Sequence, residues 1–200
     1  MVYTHSKIAG TALFVGVIQF ALAMMVAEFL YPGYSVSKNP ISDLGATCNQ
    51  GACQIVQPSS LIFNSSIILA GLLVLVSSYY IKKTFRARLL FGLFAIAGLG
   101  MIAVGLLPET TGVVHKIVSA ITFLSIGVAA IAAYKVQRAP LSYFSVILGA
   151  GALVAAGLYE SGIYLGLGDG GMERMIVYPV LLWSLAFGGY LISRDSDSWG

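Results

Sequence analysis

Residues 89–107 read LLFGLFAIAGLGMIAVGLL, a run of 19 residues without a single charge. Coiled as a helix it rises about 28 Å, close to the roughly 30 Å hydrocarbon core of a bilayer. A membrane barrel would show alternating segments of about 10 residues, and this run is unbroken and nearly twice as long. In hydrocarbon only helices and closed barrels satisfy their own backbone groups, so the run reads as a spanning helix.

Five more runs repeat the pattern. The expected spans are 8–31, 58–81, 89–107, 113–134, 141–165 and 175–193. Together they make an all-α, polytopic six-helix bundle that forms a single domain over residues 1–200. Composition points the same way. Charged residues are 10% of the chain against about 25% in an ordinary soluble domain, too few to cover a surface facing water. The net charge of +3 comes from scattered basic residues and one short loop, so no nucleic-acid partner is implied. Ala21-Leu22-Ala23 resembles a signal-cleavage site, but it lies inside an apolar run longer than a signal peptide's core; no cleavage is expected.

Lysine and arginine set the expected orientation. Lys7, Lys82, Lys83, Arg86, Arg88, Lys135, Arg138 and Arg194 fall on one face, and Lys38, Lys116 and Arg174 on the other. The richer face should be cytoplasmic, with both chain ends inside and the long 32–57 loop outside the cell. That topology gathers the acids. Asp43, Glu109, Asp169 and Glu173 fall in outer loops, Glu28 and Glu160 near the outer helix ends, and only Asp195 and Asp197 in the cytoplasmic tail. His115, Lys116, Lys38 and Arg174 join the outer group.

Two readings of that cluster stand side by side. An outward-facing polar pocket lined by Glu28, Asp43, Glu109, His115, Glu160, Glu173 and Arg174 would perturb the pKa values of its members and form a candidate site. A solvated loop face with structural ion pairs, such as Arg174 with Glu173 or Asp169, has the same signature. Asn64 is expected to hydrogen-bond across helices or to reach the pocket. Asp43 serves either its own loop backbone or the site.

Other chemistry finds little support. His5 and His115 sit at opposite ends of the spans, about 30 Å apart, which excludes bis-histidine haem. His115, Glu109 and Asp43 lack the histidine content of a catalytic zinc site; no metal and no cofactor is expected. Gly166-Leu167-Gly168-Asp169-Gly170-Gly171 spells the dinucleotide fingerprint, but without a preceding strand it reads as a flexible outer turn. Cys48 and Cys53 share the long loop, and in an oxidising exterior such a pair forms a disulfide. Glycines 92, 98, 100, 105, 149, 151, 157 and 162 are expected to let helices approach closely.

Asn39-Pro40-Ile41-Ser42-Asp43-Leu44-Gly45 opens the end of the loop, and Phe63-Asn64 opens the next helix. Leu107-Pro108-Glu109, His115, Glu173-Arg174 and Tyr178-Pro179 follow. The combination resembles a prokaryotic membrane family known as domain of unknown function 998. It is more distantly similar to the Frag1/DRAM/Sfk1 membrane proteins, which share an Ile-Ser-Asp-x-Gly loop. The resemblance implies six helices and a lipid-related role, and it marks Asn39, Asp43, Asn64, Glu109, His115, Glu173 and Arg174.

The expected function is binding of a lipid headgroup or small ligand at the outer pocket, or service as an accessory subunit of a membrane complex. Tyr31, Tyr34, Tyr159, Tyr164 and Tyr178 lie near the outer interface, where such rings concentrate. Membrane lipids are the expected partners, with other membrane-protein subunits as the second candidate. The alternative is an intramembrane lipid hydrolase or transferase, with His115 as base, Asp43 and Glu109 carrying protons, and Arg174 holding a phosphate or carboxylate. Transport is weaker, because no charge lies at mid-membrane.

Overall fold

The computed structural model describes residues 5–49 and 52–194; Asp195 and Asp197 lie outside them. Six helices run through it: α1 (His5–Leu30), α2 (Ser59–Phe85), α3 (Arg88–Leu106), α4 (Val113–Ala132), α5 (Leu141–Glu160) and α6 (Gly168–Ser193). All six are long and apolar enough to cross a membrane. Each packs on the next in sequence, and α6 closes the ring against α1. Both ends of the described chain meet at one end of the bundle, where Ser6 donates a 2.7 Å hydrogen bond to the Leu191 carbonyl.

The outside of the ring is apolar. Leu22, Leu69, Leu99, Leu124, Val154 and Leu182 are each 46–63% exposed, a surface that only lipid solvates without penalty. Three seams between helices close through facing glycines. A Cβ on Gly10 would sit 2.6 Å from the Gly188 carbonyl oxygen, one on Gly71 2.6 Å from that of Gly98, and one on Gly149 2.7 Å from that of Gly127. Half of the glycines expected to pack do so. Gly98, Gly100, Gly105 and Gly149 have close neighbours, whereas Gly92, Gly151, Gly157 and Gly162 face open space, because they point away from the seams.

Two helix ends differ from the sequence reading. Helix α5 stops at Glu160 rather than near residue 165, since Gly162 turns at φ +71°. Helix α6 begins at Gly168, seven residues before the expected start. The glycine-rich 166–171 stretch is therefore a helix entrance rather than a flexible turn. Two of its four glycines are dictated by packing on the loop: a Cβ on Gly170 would lie 2.1 Å from the Asn39 carbonyl oxygen, and one on Gly168 2.3 Å from that of Ser37.

The described residues of the long loop take regular structure. Residues Ile41–Leu44 form a 3₁₀ turn that dips into the bundle, with Ile41, Leu44 and Ala46 at most 4% exposed. A two-stranded hairpin, β1 (Thr47–Asn49) and β2 (Ala52–Gln54), follows with Cys48 opposite Cys53. These two cysteines form the expected disulfide.

Candidate functional site

The polar residues of the loop end fall into two separate groups. The first is a lock centred on Arg174, which is 4% exposed. Its Nη2 donates to Glu28 Oε1 at 2.5 Å and to the Tyr34 hydroxyl at 2.7 Å. Its Nη1 serves the carbonyls of Val36 at 2.9 Å, Asn39 at 3.1 Å and Gly170 at 2.9 Å. The Tyr34 hydroxyl in turn donates to the Pro40 carbonyl at 2.9 Å. The guanidinium fork thus ties α1, α6 and the loop together. Burial holds the Tyr34 phenol well above its ordinary range, although the neighbouring Arg174 opposes the shift.

Neither Glu28 nor Arg174 lines any of the three cavities at this end. The single pocket expected from sequence is split, and its arginine pairs with Glu28 rather than with Glu173 or Asp169. Asn64 also stands apart. Its amide donates to Ser60 Oγ at 3.1 Å and to the Gly45 carbonyl at 3.4 Å, which fixes the loop to α2.

The second group surrounds the cavities. Glu173, 6% exposed, accepts from the backbone N–H groups of Ile41 and Ser42. It thereby satisfies amides that the 3₁₀ turn leaves without helical partners. Ser42 Oγ donates to Glu109 Oε1 at 2.5 Å. Asp43, 7% exposed, accepts from Asn39 Nδ2 at 2.7 Å, so its carboxylate serves a neighbouring side chain. Burial, reinforced by Glu109 and Asp169, pushes Asp43 up to about 6 against the opposing Asn39 bond. His115 donates through Nδ1 to the Leu107 carbonyl at 2.7 Å, leaving Nε2 as acceptor 3.4 Å from Ser119 Oγ.

Three cavities meet here. One, of about 530 Å³, lies under the loop between Asn39, Asp43, Glu109, Lys116 and Asp169. A second, of about 510 Å³, opens between α4, α5 and α6. Its loop end carries Glu109, Lys116, Glu160, Asp169 and Glu173, and its deeper part Phe123, Leu124, Leu153 and Ile176. The third, of about 100 Å³, runs down inside the ring with an almost wholly apolar wall. His115 borders all three. Asp169 Oδ1 is buried without a hydrogen-bond partner.

Asn39, Asp43, Glu109, His115, Glu160 and Glu173 are thus brought around connected cavities, and Glu28, Asn64 and Arg174 buttress the loop beside them. Ser42, Tyr159 and Asp169 also border the cavities. Asp169 was legible only as one more outer acid. Among the described residues, no three His, Cys, Asp or Glu side chains converge to hold a metal ion.

No curated protein and no solved structure matches the chain. The sequence model of one family, described as a protein of unknown function (DUF998), matches residues 14–190, and the chain belongs to that family.

Proposed function

We propose that the protein binds a membrane lipid by its headgroup in the cavity between α4, α5 and α6, with the loop end facing the exterior. One observation carries the reading: the lining is divided, polar at the loop end and apolar below, as the two halves of an amphiphile require. The orientation is supported by eight basic residues at the opposite end or its tails against three at the loop end. Glu109, Glu160, Asp169 and Glu173 outnumber Lys116 around the head position. The preferred head therefore carries hydrogen-bond donors, as an amine does.

The test is native mass spectrometry of the detergent-purified protein titrated with short-chain phosphatidylethanolamine and phosphatidylglycerol. Saturable binding favouring the amine head, with that preference lost in Asp169→Asn, supports the reading. Equal binding of both lipids, unchanged by the substitution, overturns it.

A hydrolase or transferase reading rests on the His115 ring, whose Nδ1 bond to Leu107 holds Nε2 as a base at the junction of the cavities. Arg174 is a poor anion holder in that scheme, because both of its Nη atoms are already bonded. Release of fatty acid or headgroup from liposomes by the wild type, absent in His115→Gln, would establish the enzyme.

A further inference from the structure

At the loop end the chain itself joins α1 to α2, α3 to α4 and α5 to α6. The other three seams of the ring can close there only by contact between helices. The α6–α1 seam is locked by Arg174 and Glu28 at 2.5 Å. The α2–α3 seam is packed to its end: a Cβ on Gly105 would lie 2.8 Å from the Asn64 carbonyl oxygen. The α4–α5 seam differs. Its helices meet closely at Gly127 and Gly149. Nearer the loop end, Ala120 and Leu124 of α4 and Leu153 and Gly157 of α5 border the cavity of about 510 Å³. Its rim is uncovered. Leu124 is 54% exposed, and Lys116, Gly157 and Glu160 are exposed as well. A Cβ on Gly157 would meet nothing within 4 Å.

We infer that the α4–α5 seam is a lateral doorway: a two-chain phospholipid of the leaflet on the loop side enters through it within the plane of the membrane, and its tails run back out through the same gap. Depth is the first reason. Gly149 to Glu160 is eleven residues of α5, or about 16 Å of helix. That is close to half the roughly 30 Å hydrocarbon thickness, so the gap spans one leaflet. Volume is the second. About 510 Å³ suits a drug-sized molecule, which leaves room for a head and the first part of a tail while the rest of the lipid stays in the bilayer. The third is the order of side chains along the gap. Lys116 and Glu160 stand at its loop end, level with the headgroups, and the sides below them are alanine, leucine and glycine. A tail slides between those sides without meeting water, whereas entry from the aqueous side would expose it.

The inference rests on the lipid reading for what is bound, and the experiment separates the two. The full chain, in nanodiscs, is irradiated with a diacyl phosphatidylethanolamine carrying a diazirine in the head-proximal half of one tail, and the labelled peptides are mapped. A matching phosphatidylglycerol probe is run beside it. Labels are expected on Leu153 and on Ile176, which borders the cavity from α6 and is 3% exposed. Gly157→Trp fills the gap and should lower the Ile176 label at least tenfold. Gly151→Trp is the matched control: its Cβ also meets open space, on the same helix, and Gly151 borders none of the three cavities. It should leave that label unchanged, and labels on outward-facing Leu99 and Leu182 should be equal in all three proteins. Ala120→Phe repeats the block from the α4 side. An unlabelled Ile176 in the wild type, or an Ile176 label indifferent to both Gly157→Trp and Ala120→Phe, overturns the inference. Amine-selective binding of the short-chain lipid in detergent with Ile176 unlabelled leaves the headgroup reading standing and removes the doorway; an Ile176 label that Gly157→Trp abolishes, equal for the two heads, does the reverse.

Discussion

The two ends of the bundle are built on opposite plans. Away from the loop, Phe94, Trp183 and Phe187 are fully buried, with ring centroids 5.5–6.1 Å apart. They pack with Leu13, Ile81, Leu90 and Leu191 into one solid core. At the loop end, buried volume is divided among three cavities, and a smaller apolar cluster around Phe20, Met24, Ile41, Leu44 and Phe63 is supplemented by polar contacts: Arg174 with Glu28, Glu173 with the loop amides, Ser60 with the Gly45 carbonyl at 2.5 Å. Close-packed apolar rings hold a structure together without offering room. Space appears at the loop end, and there hydrogen bonds help to keep the chain ordered.

That contrast can be broken at its solid end first. Trp183→Ala opens a void beside Phe94 and Phe187 and is expected to destabilise the detergent-solubilised protein by about 3–5 kcal/mol, read as a large drop in thermal midpoint. A Val104→Ala change beside the existing cavity should cost far less, because the site is already under-packed. Equal losses at the two positions would show that the ends do not differ.

The next effect lies in the Arg174 lock. Glu28→Gln leaves a buried guanidinium without its counter-charge, a loss of about 3 kcal/mol or more, and should expose the loop to limited proteolysis while the far end stays protected. Simultaneous opening of both ends would mean that the bundle unfolds as one unit.

Asp43 gives a pH-dependent handle. Its pKa is raised from 3.8 to about 6, so the folded state favours the protonated carboxyl. The associated stability is present in full below about 3.8 and is lost as pH rises through about 6. At neutral pH the buried carboxylate therefore weakens the fold, by up to about 3 kcal/mol. Asp43→Asn keeps an acceptor for Asn39 and should raise the thermal midpoint at pH 7. It should also remove the extra stability that the wild type gains between pH 7 and pH 5. A flat wild-type profile over that interval would contradict the burial of this carboxyl.

The smallest change is expected from the hairpin. Reduction of Cys48–Cys53 opens a short ring and forfeits about 2 kcal/mol at most, felt as looser β1–β2 pairing in hydrogen exchange and not in the core around Trp183.

The six spans are legible in the sequence because lipid demands long apolar runs, and residues 89–107 meet that demand without interruption. The start of α6 was hidden because Gly166–Gly171 carries the residues of a turn. In the structure Gly168 and Gly170 make room for the carbonyls of Ser37 and Asn39, a contact between segments about 130 residues apart that no local pattern records. The gathering of His115, Glu109 and Glu173 at one end followed from topology. Their separation from Glu28 and Arg174 did not, because the choice of a salt-bridge partner 146 positions away depends on side-chain directions. The cavity inside the ring was invisible for a related reason: hydropathy records the chemistry of Met101 or Val180 and not the volume left between them.

The loop between α1 and α2 is pinned in part by Gly170, Glu173 and Arg174, all from α6. In a chain made from its N-terminus, this segment has emerged long before its anchors exist. Five helices can be inserted while the Ile41–Leu44 turn still lacks the carboxylate and guanidinium that seat it. The loop end is thus completed only once α6 is in place, and a chain cut short before α6 would keep five of these membrane spans yet leave the loop unseated.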